Sequence, residues 1–121
     1  MTALERDLVL TGDAIRAYSR RGNYHSDPHT AAALGLPGLV AQGVQVAGPA
    51  YGALLEAWGD EFLRHGVLDV KFVGLVTEDD RVVARVAIDG DRATIEVRNV
   101  TAGRTAVVGT ALRRVREPER P

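Results

Sequence analysis

The chain has 121 residues, enough for one domain with a real core and too few for two. Hydrophobic residues make up 45% and charged residues 26%, a balance that excludes disorder, and the net charge of -1 offers no basic excess for a nucleic-acid backbone or an anionic membrane. Cysteine is absent, which excludes disulfides, thiolate metal sites and a cysteine nucleophile.

Residues 1–7 carry Glu5, Arg6 and Asp7 and lack the apolar core of a secretory signal. The longer apolar stretches are broken by Gly, Gln and Pro, so no membrane span is expected and a cytoplasmic location is the default. Leu8, Val9 and Leu10 form a short apolar run that reads as an edge strand. Thr11 suits the cap of a following helix, Asp13 its first turn, and Ala14, Ile15, Ala17 and Tyr18 its apolar face up to about Arg20. Gly22 and Asn23 mark a loop. Asp27 followed by Pro28 is a helix start, and Gly35 stops that helix.

Residues 43–58 are apolar nearly all round, which predicts a long buried helix. Pro49 within it removes one backbone bond and predicts a kink, with Gly48 and Gly52 adding slack. Residues 68–73, 81–88, 94–99 and 105–116 then read as strands. Arg85, Thr94, Glu96 and Arg98 alternate with Val86, Ile95 and Val97 at the period of a half-buried sheet. Asp89, Gly90 and Asp91 predict a tight hairpin, and residues 101–104 a second one, so these neighbours are antiparallel. Residues 77–80 form a polar turn between strands. The reading is one α+β domain over residues 1–116, its mostly antiparallel sheet wrapped around one long central helix, with a frayed tail at 117–121. A single sheet around one helix leaves an open edge and apolar surface, so a dimer is expected.

The segment from Tyr18 to Val44 carries the chemistry. A loop holding His25 feeds a capped helix, and a glycine turn then delivers the chain to the start of the long helix at Gly43. Histidine is a proton shuttle near neutral pH. The unpaired amides and dipole of a helix N-terminus stabilise an oxyanion such as forms on a thioester carbonyl when the adjacent carbon loses a proton. Glycine at that position lets a substrate approach the backbone.

His25-Ser26-Asp27-Pro28, then Ala31-Ala32-Ala33-Leu34-Gly35-Leu36-Pro37-Gly38, then Ala41-Gln42-Gly43 resemble the signature of the MaoC-like (R)-specific enoyl-thioester hydratases and dehydratases. That signature runs Asp-x-Asn-Pro-x-His-x-Asp-Pro, through Ala and Gly-Leu-Pro-Gly, to Ala-His-Gly or Ala-Gln-Gly. Leu68-Asp69-Val70-Lys71-Phe72 is similar to the family's Val-x-Phe strand, and Val97-Arg98-Asn99 and Gly109-Thr110-Ala111 to its last strands. The resemblance implies a hotdog fold and a lyase acting on an acyl thioester carried by coenzyme A or an acyl carrier protein, with no dissociable cofactor and no metal. It implies His25 as general acid/base and the Gly43 amide as oxyanion donor, with Gln42, Tyr24 and Val44 around the substrate. The family's catalytic aspartate, five residues before its histidine, falls here on Arg20, and its asparagine on Gly22. A shortened loop would align Asn23 with either. No carboxylate fills the dyad position, so Asn23 is taken as the second polar group of the site.

The departure keeps other readings open: a specialised dehydratase, isomerase or cyclase, a non-catalytic subunit that stabilises a partner in a heterodimer, and a hotdog thioesterase. The last needs an acid on the central helix, where Glu56 stands alone and far from Gly43. Plainer roles compete at each position. His25 can bond backbone near a turn, Asp27 is the cap of the Pro28 helix rather than an orienting carboxylate, and His29 faces solvent. His25 and His29 flank a cap, which does not make a zinc site. Tyr51 and Trp58 read as core or dimer interface. Arg20 and Arg21 at a helix end, and Arg113, Arg114 and Arg116 on the last strand, are either solvated charges or contacts for a carrier's phosphate.

Overall fold

The computed structural model describes residues 2–18, 26–36 and 38–114. In chain order the elements are β1 (Thr2–Leu10), α1 (Gly12–Tyr18), α2 (Pro28–Ala33), α3 (Gly43–Trp58), α4 (Asp60–His65), β2 (Val67–Phe72), β3 (Asp80–Asp89), β4 (Arg92–Asn99) and β5 (Arg104–Leu112). The five strands form one antiparallel sheet in the order β1-β3-β4-β5-β2. Its two hairpins follow from their turn residues. Asp89 pairs with Arg92 around Gly90 and Asp91, and Gly90 alone takes a positive φ of 61°, as the first position of a type II′ turn requires. Asn99 pairs with Arg104 across the second turn.

Strict alternation sets which face is buried. Along β4, Ala93, Ile95, Val97 and Asn99 point inward while Arg92, Thr94, Glu96 and Arg98 face water. In β3, Val82, Ala84 and Val86 do the same. The inward face receives α3, which lies chiefly over β3, β1 and β4. Val46, Ala47, Ala50, Ala53 and Leu54 of α3 are buried there, together with Leu10, Ile15, Leu39, Val76 and Val107. This is the hotdog arrangement expected from the sequence.

Four expectations need correction. The first strand begins at Thr2, well before Leu8, because its backbone pairs with β3 from Thr2↔Ile88 to Leu10↔Asp80. Its charged residues are tolerated on an exposed edge, where Asp7 accepts from Arg81 at 2.6 Å. The helix α4 was absent from the pattern reading. Its six residues are too few to show a period, yet Gly59 and Gly66 bracket it, Asp60 and Glu61 open it, and Arg64 and His65 close it. The last strand ends at Leu112 rather than at 116, since the Arg113 N–H turns to Asp91 O at 2.8 Å. Arg113 pairs with Asp91, and Arg114 with Glu61 at 3.3 Å, so neither lines a strand. Finally, α3 is not buried all round: Val44 is 64% exposed and Tyr51 37%, because the sheet covers only one side of the helix. The helix runs on through Pro49 to Trp58. The expected continuation of α1 to Arg20 and the tail at 117–121 lie outside the described residues.

One buried polar residue, Asn99, anchors a partly buried cluster at the margin of this core. Asn99 is fully buried, its Nδ2 donating to Asp80 Oδ2 at 2.8 Å and to Leu75 O at 3.3 Å, while its Oδ1 accepts from Ala102 N–H at 3.0 Å. Asp80 also accepts from the N–H and the hydroxyl of Thr77, at 3.0 and 3.2 Å. These bonds tie the segment joining β2 to β3 to the end of β4.

Candidate active site

The approach to α3 is built from a second, shorter pairing. Leu39, Val40 and Ala41 are buried, and Val40 bridges Thr77 in antiparallel fashion. Ala41 N–H donates to Val76 O at 2.8 Å, Glu78 N–H to Leu39 O at 2.9 Å, and Leu39 N–H to Glu78 Oε1 at 3.2 Å. An extended Gln42 (φ -68°, ψ 145°) then caps the helix, which starts at Gly43. The first helical bond is Val46 N–H to Gln42 O at 3.1 Å, which leaves the amides of Gly43, Val44 and Gln45 as the leading donors of a sixteen-residue helix. Gln45 ties α3 to α1, its Nε2 donating to Ala14 O at 3.0 Å.

Beside these amides lies a cavity of about 630 Å³. One wall is the run from Val40 to Val44 with Val46, and the other is Phe72 to Val76 with Ala106 and Val107. The lining is predominantly apolar, as expected of a small-molecule site. The Phe72 ring lies over Gly43: a Cβ added there would come within 2.7 Å of the ring. Glycine at 43 lets the Phe72 ring lie this close; a side chain there would push that exposed ring aside.

Three of the residues singled out in the sequence, Gln42, Gly43 and Val44, come together on this cavity. His25, Asn23 and Tyr24 lie outside the described residues, as do Arg20, Arg21 and Arg116. Asp27 is the cap of α2: its carboxylate accepts from His29 N–H at 3.0 Å and from the Thr30 hydroxyl at 3.1 Å. The His29 amide first, then the Thr30 hydroxyl, hold its pKa below the ordinary carboxylate value. His29 is exposed on that helix. Trp58 is partly buried and Tyr51 half-exposed, and both rings pack on Phe62 of α4 with centroids 5.6 Å apart. Glu56 is engaged with Arg6 of β1 at 2.8 Å. The opposite wall, from Phe72 to Val76, was missed in the sequence. Its signal was the Val70-Lys71-Phe72 strand, whose last side chain the register with β5 (Phe72↔Val107) carries to the start of α3.

A sheet of this order around one helix, with a helix N-terminus opening on an apolar cavity, defines the hotdog class. The chain belongs to the MaoC-like family: its residues 4–110 match the MaoC like domain. Among solved structures it is similar to the unliganded R-hydratase PhaJ1 from Pseudomonas aeruginosa, with 17% identity, 99% of this chain and 88% of that chain covered, and a TM-score of 0.74. It is similar also to an (R)-hydratase from A. caviae involved in PHA biosynthesis (20% identity, 91% of each chain, TM-score 0.69). A third likeness is to the ChsH1-ChsH2 complex from Mycobacterium tuberculosis (15% identity, 92% of this chain and 94% of that chain, TM-score 0.66). No curated protein sequence matches significantly. Among the described residues no helix is long and apolar enough to cross a membrane.

Proposed function

We propose that this chain is a lyase that adds water to an enoyl thioester, or removes it from a 3-hydroxyacyl thioester, carried on coenzyme A or an acyl carrier protein. The observation that supports this reading best is the apolar cavity of about 630 Å³ opening on the leading amides of α3 at Gly43. In the hydration direction His25 takes a proton from water as the oxygen attacks the carbon β to the carbonyl. Charge then collects on the thioester oxygen, where the Gly43 N–H meets it. The proton returns to the α carbon and the carbonyl re-forms. Asn23 or Tyr24 holds the water, in the place where the family pattern has a carboxylate. The reaction needs no cofactor beyond the carrier.

The test is hydration of crotonyl-CoA by the wild type and by His25→Ala, followed by loss of enoyl absorbance. Removing a general acid/base lowers turnover about 10²–10⁴-fold. A His25→Ala protein as active as the wild type would discard the assigned role.

The partner reading is a dimer formed across the β2 edge and the uncovered side of α3, either with a second copy or with another hotdog subunit. Two observations favour the heterodimeric, non-catalytic alternative: Arg20 stands where the family pattern has aspartate, and one of the similar structures is a complex of two chains. Activity that appears only on mixing with a hotdog protein bearing an intact Asp and His would select it. A thioesterase is less well supported, because Glu56, the acid on α3, is committed to Arg6.

A further inference from the structure

Leu39 is fully buried, and its N–H needs an acceptor. The backbone it pairs with supplies none. Thr77 bridges Val40 and Glu78 N–H donates to Leu39 O at 2.9 Å, but at Asp79 the chain takes a left-handed φ of 68° and its N–H turns to Leu10 O at 2.6 Å. The Glu78 carboxylate takes over: its Oε1 accepts from Leu39 N–H at 3.2 Å. This partly buried group has a fitted seat. A Cβ at Gly38 would come within 3.0 Å of Oε1, and one at Gly12 within 2.9 Å of Oε2, so the carboxylate sits between the turn before Leu39 and the start of α1. The backbone around Glu78 is held in turn, since Asp80 accepts from the N–H and the hydroxyl of Thr77 and from buried Asn99.

We propose that Glu78 is a positioning residue for the oxyanion site, which sets the place of the Gly43 N–H through the run from Leu39 to Gln42. This rests on the thioester reading above. Glu78 does not line the cavity, so it acts only through the backbone it holds. The route is short. Glu78 holds Leu39 by both its N–H and its carbonyl, Val76 O holds Ala41 N–H at 2.8 Å, and extended Gln42 then starts the helix. An oxyanion donor acts only within about 2.7–3.1 Å of the charged oxygen, so a small displacement of Gly43 weakens it. Without the carboxylate, Leu39 N–H is left buried with no acceptor, which favours a shift of the whole run toward another partner.

The experiment reads the carbonyl directly. Butyryl-CoA labelled with a heavy carbon isotope at the thioester carbonyl is not a substrate for hydration, and its carbonyl stretch, taken by isotope-edited difference infrared spectroscopy, falls when the oxygen accepts a hydrogen bond. Wild type, Glu78→Ala and Glu78→Gln are compared, together with thermal melting and with kcat and KM for crotonyl-CoA. The wild-type band is expected to move to lower frequency on binding. Glu78→Ala is expected to lose at least about half of that shift and to lower kcat about tenfold with KM within about twofold, because the donor is misplaced rather than removed. Glu78→Gln, which keeps an acceptor for Leu39 N–H, is expected to retain the shift and the kcat. If Glu78→Ala does not fold, Gly38→Ala decides: its methyl displaces the Glu78 carboxylate without removing it, and the same losses are expected. Where crotonyl-CoA is not turned over, the band alone decides. A folded Glu78→Ala that melts lower but keeps the wild-type band overturns the positioning role and leaves the thioester reading standing. Equal losses in Glu78→Ala and Glu78→Gln also overturn it, since the charge rather than the bond to Leu39 would then matter. A wild type that binds no butyryl-CoA, or binds it with no shift of the band, overturns both readings.

Discussion

Asp27 accepts the N–H of His29 and the hydroxyl of Thr30, and both bonds favour its ionised form. A carboxyl whose folded pKa lies below its unfolded value, about 3.9, contributes stability above that value and loses it as the pH falls through the folded pKa. Asp27→Asn is therefore expected to melt at a lower temperature than the wild type at pH 7, and the gap to close as melts are repeated toward pH 3. A gap that stays constant across that range would show that the charge of Asp27 contributes nothing. Roles of this kind are legible from sequence because cap and helix are neighbours in the chain. Thr11 is a second case, its hydroxyl accepting from Ala14 N–H at 3.1 Å. Asn99 is the counter-example. The alternation along β4 puts it on the inward face, but its distant partners Leu75 and Asp80 are supplied by the tertiary structure and are not marked in its local sequence.

At the scale of elements, α3 separates buried from exposed positions within two residues of each other. Leu54 is fully buried against the sheet, while Glu56 reaches Arg6 across the surface with 58% of its side chain exposed. Leu54→Ala is expected to cost about 2–5 kcal/mol through the cavity it leaves. Glu56→Ala is expected to cost no more than about 1 kcal/mol, as an exposed ion pair does. Urea unfolding of the two variants checks the contrast, and equal costs would mean that the sheet does not pack on α3 as described. The span of α3, about Gly43 to Trp58, was legible from its apolar run, and the hairpins from their turn residues. The reach of β1 and β5 was not, because strand ends depend on where pairing partners stop.

For the whole molecule, the uncovered surface is the informative part. Val44, Tyr51, Phe72, Val73 and Leu75 are exposed in a single chain and lie near β2, an edge strand with one unpaired side. Apolar surface beside an open edge favours association. Sedimentation velocity of the wild type at micromolar concentration is expected to give a dimer, and Val44→Asp to shift it toward monomer. A wild type that sediments as a monomer would remove the homodimer and leave pairing with another hotdog subunit as the partner reading.

The sequence by itself determined the class of fold, the central helix, the caps and the glycine at the start of α3, because each follows from periodicity or from contacts a few residues apart. It also placed Gln42, Gly43 and Val44 together, since they are consecutive. Only the tertiary structure decided that α3 leans away from β2, that Phe72 lies over Gly43, and that Asn99 joins Asp80 inside the core. Those pairs are far apart in the chain: β3 pairing with β4 brings Asp80 to Asn99, and the strand order β1-β3-β4-β5-β2 puts Phe72 of edge strand β2 beside the start of α3.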